Sequence, residues 1–210
     1  MQPAPRIDDL PAAARRHLSA GESQLIYHPY STATWRVERV SGAVLYLKAA
    51  PAELYPSLAS ERDRCAWLAE RGAPVPEVVD YGAADGVEWL LTAALPGAPA
   101  TAAPHLGAPQ RTAGILGEGL RAFHEIDPAE CPFDHTIAPS LRHVSARVAA
   151  GRVNADAFDA PHQHMDAEQA LRRLLDAAPA EEDVVVTHGD YCFPNALIDQ
   201  GRVVGYLDLG

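Results

Sequence analysis

The chain has 210 residues, 48% hydrophobic and 21% charged, with 17 basic against 28 acidic residues and a formal net charge of −11. That length suits one large domain or two small, closely packed lobes, and the apolar fraction is enough to bury a core, which excludes wholesale disorder. The acidic balance argues against a nucleic-acid backbone or an anionic membrane as partner, yet a local phosphate pocket needs only a few donors and stays compatible with it. Three cysteines, Cys65, Cys131 and Cys192, lack CxxC spacing, so a reducing cytoplasm is expected rather than a disulfide framework. No apolar run reaches the length of a bilayer span. The N-terminus mixes acids and prolines without the order of a signal peptide.

In chain order, residues 10–18 read as a short helix with Pro11 in its first turn. QLIYH, TWRVERV and AVLYLKA follow as alternating strands, the last two joined by Ser41-Gly42 as a hairpin turn. Pro56 opens a helix that runs to about Arg71 and stops at Gly72. PEVVDYG and VEWLLTAAL read as two further strands around Asp85-Gly86, ending at Pro96-Gly97. An Ala/Pro-rich connector then leads into a helix over 110–124, with Ile115, Leu116, Gly119, Leu120 and Phe123 on one side. Helices are expected near 141–149 and 167–177. VVVTH (184–188), ALI and VVGYL read as closing strands. The fold class is α+β: residues 1–96 form a mixed lobe with an antiparallel sheet and one helix, and residues 97–210 form a mainly helical second lobe.

The densest chemistry lies in VVVTHGDYCFPNALI, followed by VVGYLDLG. Asp190 and Asn195 share a loop after an apolar run, and Asp208 ends another. Any one of these alone reads first as a turn residue. Together they supply what phosphoryl transfer requires: a carboxylate to orient an acceptor hydroxyl, and a carboxylate plus an amide to hold Mg²⁺. Hard oxygen ligands suit magnesium, which retains waters and uses few protein atoms. His188 lacks a second ligand at zinc spacing, so it reads as a brace for the loop.

Lys48 interrupts an apolar strand. It reads either as an edge lysine that snorkels to solvent or as a cation over α- and β-phosphates. The second reading needs a fixed acid beside it, for which Glu61 on the next helix is the better choice and Glu53 in the connector the rival. The turn HPYSTAT between the first two strands has no glycine, so it is neither a GxGxxG nor a Walker A loop. Ser31 and Thr32 remain possible donors to phosphate.

HGDYCFPN and GYLDLG resemble the catalytic and metal motifs of the aminoglycoside phosphotransferases, which share the protein-kinase-like two-lobed fold. ERDRCAWLAERGAPVPEVVDYG, LPG and AFHEIDPAECPFDH extend the similarity. The stretch through RVAAGRVNADAFDAPHQ looks most like the class that phosphorylates the 3′-hydroxyl of kanamycin and neomycin. A related streptomycin-phosphorylating class shares CPF and HGD. The resemblance runs from about Gly21 to Gly210 and implies ATP and Mg²⁺ as cofactors, with a cationic aminoglycoside as partner and antibiotic resistance as outcome. It implies Asp190 as catalytic aspartate, Asn195 and Asp208 as magnesium ligands, and Lys48 with Glu61 as the phosphate lysine and its partner. Ser31 would line the nucleotide-covering loop, and Ala93 to Leu95 would be the adenine-binding hinge.

Two departures from the family pattern stand out. The acidic stretch that meets substrate amines reads Asp159-Ala160-Pro161-His162, leaving Asp159 as its candidate. In the family the segment after Gly210 continues into helices that complete the larger lobe. The expectation is therefore an incomplete second lobe and a weakly stable or aggregation-prone chain, and an inactive fragment is the alternative to an active kinase. No oligomer is predicted from the sequence.

Overall fold

Alternation of apolar residues in the first hundred positions builds one antiparallel sheet. The computed structural model describes residues 5–27 and 31–209. A single 3₁₀ turn precedes helix α1 (Ala12–Ser19), and strands β1 (Gly21–Tyr27), β2 (Ala33–Arg39) and β3 (Val44–Pro51) form the meander read from the sequence. His28, expected to end the first strand, lies outside the described residues. Between β2 and β3 the Arg39 N–H donates to the Ala43 carbonyl at 2.8 Å, and Gly42 takes φ +84°, the left-handed conformation that this tight turn needs. Helix α2 (Leu58–Glu70) follows, then β4 (Val78–Ala84) and β5 (Val87–Ala93). The sheet order is β1-β2-β3-β5-β4.

The period of two sends the sheet's residues to opposite faces. Trp35, Val37, Leu47, Ala49, Trp89 and Leu91 form one buried cluster with Leu10, Ala14 and Leu18 from the α1 region. Leu47 and Leu91 are fully buried, each contributing roughly 1.5–3 kcal/mol relative to exposure. On the other face Ala50 and Leu90 pack with Leu58 of α2. Lys48, one residue from Leu47 and Ala49, therefore shares the α2 face. Ser57 caps α2, its Oγ accepting from the Ser60 N–H at 3.2 Å.

The Ala/Pro connector carries two elements that composition does not reveal. Strand β6 (Ala98–Pro99) exists because it finds a ladder partner far away in sequence, and α3 (Ala103–Leu106) is a single turn. Helix α4 (Pro109–His124) matches its expected span, and α5 (Ile137–Ala149) and α6 (Ala167–Asp176) follow. Asp166 and Gln169 form a reciprocal capping box at the start of α6. Strands β7 (Ala196–Asp199) and β8 (Arg202–Tyr206) join β6 in a second antiparallel sheet, order β6-β7-β8.

The expected strand over 184–188 is not present. That run has no ladder partner among the described residues, and although Val186 is buried, Val184 is 51% exposed. An apolar run becomes a strand only where a neighbouring edge takes up its backbone groups. The chain divides into two compact units, one of Met1–Ala122 with His188–Gly210 and one of Phe123–Thr187. No helix among the described residues is long and apolar enough to cross a membrane.

Candidate functional site

Five of the expected site residues converge in the first of these units. Lys48 on β3 donates from Nζ to Glu61 Oε2 at 2.8 Å and also to Asp208 Oδ1. Burial of Lys48 pulls its pKa down, but the negative charges of Glu61 and Asp208 outweigh it and hold the ammonium above its ordinary value. Lys48 is thus a fixed cation, and the rival Glu53 is exposed in the turn after β3. One turn beyond Glu61, Arg64 donates to the Leu209 carbonyl at 3.3 Å. Two consecutive turns of α2 thereby hold the sheet lysine and the backbone after Asp208.

Asp190 is exposed at the tip of its loop, after Gly189 at φ +86°. Asn195, 8% exposed, donates from Nδ2 to both the backbone carbonyl and Oδ2 of Asp190, each at 3.0 Å. The Asn195 carbonyl accepts from the Leu207 N–H at 2.8 Å, which seats Asp208 beside the loop. Asp208 itself adopts φ +58°, a left-handed conformation that aspartate tolerates better than most side chains.

His188 is buried, and its Nδ1 accepts from the Asp190 N–H at 3.4 Å. Burial lowers the His188 pKa, against the opposing pull of the Asp190 and Asp208 charges, so the ring sits neutral and can accept at Nδ1. Its ring packs against Tyr191 and Tyr206, with centroids 5.5 Å and 6.0 Å away. Burial and the Asp190 charge push the Cys192 thiol up, which disfavours a thiolate nucleophile.

The sequence reading missed the two tyrosines. Tyr191 donates to the Leu116 carbonyl at 2.9 Å and Tyr206 to the Gly119 carbonyl at 2.8 Å. The residue after Asp190 and the residue two before Asp208 are thus tied to successive turns of α4. The available signal was a tyrosine in each apolar run, because a buried phenol needs an acceptor.

The remaining candidates are held by other contacts. Ser31 is 4% exposed, while the preceding loop residues 28–30 lie outside the described residues. The Ala93 N–H is engaged with the Glu77 carbonyl at 2.9 Å and the Ala94 N–H with that of Val44 at 3.0 Å. Leu95 packs its side chain over Gly205 of β8. Asp159 belongs to the second unit, where its Oδ1 meets His162 Nδ1 at 2.5 Å.

The donor set suits a hard divalent cation. With the Asn195 amide nitrogen committed to Asp190, the atom it has left to offer is Oδ1, and Asp208 offers a carboxylate that is 49% exposed. One amide and one carboxylate oxygen match the few protein ligands magnesium takes. Among the described residues no group of three or more His, Cys, Asp or Glu is placed to hold a metal ion, so a cation here would rest on two protein ligands, with the nucleotide and water supplying the rest.

An antiparallel sheet whose lysine is clasped by a helix glutamate, with an Asp-x₄-Asn loop and a strand-end aspartate, is the arrangement of a protein-kinase-like fold. The comparisons agree. The family model for the phosphotransferase enzyme family, APH, matches residues 24–210. The crystal structure of an aminoglycoside-3′-phosphotransferase of type VIII superposes with a TM-score of 0.82 at 31% identity, covering 97% of this chain and 76% of its own. An aminoglycoside phosphotransferase APH(3″)-Id from Streptomyces rimosus, in complex with ADP and streptomycin, gives 0.70 at 28% identity over 90% and 71%. An aminoglycoside 3′-phosphotransferase of Streptomyces fradiae is 38% identical over 173 residues, 79% of this chain and 64% of its own length. The chain belongs to the aminoglycoside phosphotransferase (APH) family. It spans slightly less than two thirds of the length of that Streptomyces fradiae relative.

Proposed function

We propose that the protein transfers the γ-phosphoryl group of ATP to a hydroxyl of an aminoglycoside, the 3′-hydroxyl of kanamycin- and neomycin-type antibiotics, and so confers resistance in the cytoplasm. Residues 1–96 serve the nucleotide and residues 97–210 the catalytic loop and acceptor. The observation that carries this reading is the joint placement of Lys48, Glu61 and Asp208 with the Asp190–Asn195 pair.

In this reading Lys48 neutralises the α- and β-phosphates, and Glu61 keeps its ammonium in place. Ser31 and the backbone near Leu95 line the nucleotide. Asn195 Oδ1 and the Asp208 carboxylate hold Mg²⁺, which when bound supplies positive charge to the triphosphate oxygens. Asp190, with Oδ2 fixed by Asn195, orients the acceptor hydroxyl and receives its proton as the oxygen attacks the γ-phosphorus and the bond to the β,γ-bridging oxygen breaks, releasing ADP. Positioning and electrostatics carry the chemistry, with no covalent enzyme intermediate. A protein of charge −11 attracts a polycationic acceptor over long range, and Asp159 offers a carboxylate for one of its amines.

A streptomycin acceptor is the second reading, favoured by one observation. Asp159 is engaged by His162, which weakens the acidic contact expected for a kanamycin-type amine. Both are tested by ATP consumption with kanamycin, neomycin, streptomycin or no acceptor, with Asp190→Ala alongside. Turnover that requires an aminoglycoside and disappears in Asp190→Ala supports the kinase. Equal consumption with and without acceptor overturns it.

A further inference from the structure

Glu88 is the buried acid that the mechanism above does not use. It lies on β5 and is 8% exposed, and its register partners are Ala50 on β3 and Ala83 on β4. Lys48 pairs with Leu90, two residues along β5 from Glu88. Strand alternation therefore places Glu88 and Lys48 on the same face of the sheet, the face that carries α2.

Both carboxylate oxygens of Glu88 are engaged. Oε2 accepts from the backbone N–H of Leu58, the first residue of α2, at 2.8 Å, and Oε1 accepts from the Tyr81 hydroxyl at 2.9 Å. The Tyr81 ring in turn lies 4.3 Å under the Arg62 guanidinium of α2. These links close a ring from β5 to the start of α2, along the helix to Arg62, and back through Tyr81 on β4. Leu58, Leu90 and Ala50 seal it with apolar contacts, joined by Tyr81. A carboxylate at a helix start also meets the positive end of the helix dipole. Glu61, which grips Lys48, sits within that same first turn, three residues after Leu58.

We propose that Glu88 is a positioning residue for the phosphate-binding lysine: it pins the first turn of α2 to β5 and so fixes Glu61 on Lys48. This rests on the reading of Lys48 as the nucleotide cation. Ser57 already caps the helix, so α2 forms without Glu88. What Glu88 supplies is the helix's register against the sheet.

The test is ATP·Mg²⁺ affinity by titration calorimetry on the full chain, for wild type, Glu88→Ala, Glu88→Gln, Glu61→Ala, Lys48→Ala and Glu61→Ala/Glu88→Ala. Glu88→Ala is expected to weaken binding about tenfold. Glu88→Gln, which still offers an acceptor, recovers most of that loss. In the Glu61→Ala background, removing Glu88 adds less than about twofold, because its effect passes through Glu61. In steady state the KM for ATP rises while that for the acceptor stays put, a split that general destabilisation does not give. Tyr81→Phe, which keeps the ring under Arg62 and removes one hydrogen bond, weakens ATP about two- to threefold and serves if Glu88→Ala does not fold.

Wild-type binding with unchanged affinity in Glu88→Ala, or in Tyr81→Phe where that variant must serve, overturns the proposal alone, as does full additivity with Glu61→Ala. Absence of ATP binding in wild type, or undiminished binding in Lys48→Ala, overturns the nucleotide reading and the proposal with it.

Discussion

Lys48 and Asp208 lie 160 residues apart in the chain, and their side chains form an ion pair that Glu61 shares. One cation thus connects the first sheet, helix α2 and the end of β8. A lysine so placed between two acids keeps its proton, and in the proposed function it meets the phosphate oxygens of the nucleotide.

Removing that cation has two expected effects. Lys48→Ala lowers kcat/KM for ATP by about 100-fold or more, in line with the loss of one preorganised donor. It also leaves Glu61 mostly buried without its partner, a loss of about 3 kcal/mol. Lys48→Arg keeps the charge but exchanges a compact ammonium for a planar fork, and recovers only part of the activity. Steady-state kinetics and denaturant melts check both effects, and an alanine variant with wild-type ATP kinetics contradicts the assignment.

In the proposed function Asp190 serves the chemistry and Asn195 also serves cation binding, and the two are separable. Asp190→Asn removes the proton acceptor while nearly preserving shape, so turnover falls by about 10³-fold with ATP affinity unchanged. Asn195→Ala removes both hydrogen bonds to Asp190 and one proposed cation ligand, so it lowers turnover and also raises the Mg²⁺ concentration needed for half-maximal rate. A magnesium titration of each variant distinguishes them; an unchanged requirement in Asn195→Ala removes it from the ligand set.

At Gly119, α4 packs tightly against Tyr191 and Val203. A Cβ there meets the Tyr191 hydroxyl and a Val203 methyl, both at 2.6 Å. Gly119→Ala is therefore expected to destabilise the protein by about 1–3 kcal/mol through overpacking, despite the better helix propensity of alanine. The melting temperature is the readout, and an unchanged or raised value shows that α4 moves away freely.

Stability is expected to fall on the acid side through His188. Its folded pKa is lowered by burial from the ordinary value of about 6.5. The unfolded chain therefore takes up a proton before the folded one does. The stabilisation is complete above the ordinary value and declines as pH falls from there toward the folded value. Melting curves from pH 7.5 to 5 should show that slope, reduced in His188→Gln. A wild-type slope retained in His188→Gln assigns it to other groups.

Much of this site is legible in the sequence because strand alternation and local spacing carry it. The period of two in AVLYLKA isolates Lys48, and a place on the next helix makes Glu61 a better partner than Glu53 in the connector. The D-x₄-N loop fixes Asp190 and Asn195 within five residues. Less legible are features made by tertiary contact. The Lys48–Asp208 pair, the tyrosine ties to Leu116 and Gly119, and the Glu88 clamp each join segments that local patterns treat separately. The run over 184–188 misleads for the same reason, since its residue types suit a strand but no edge among the described residues receives it.

The most direct measurement follows radiolabel from γ-³²P-ATP into kanamycin, neomycin and streptomycin, with Mg²⁺, for the wild-type chain and Asp190→Asn. The expected result is label in an aminoglycoside with the wild type and its loss in Asp190→Asn, while ATP affinity is retained. Label that enters no aminoglycoside, or enters equally with Asp190→Asn, contradicts the proposed phosphoryl transfer through Asp190.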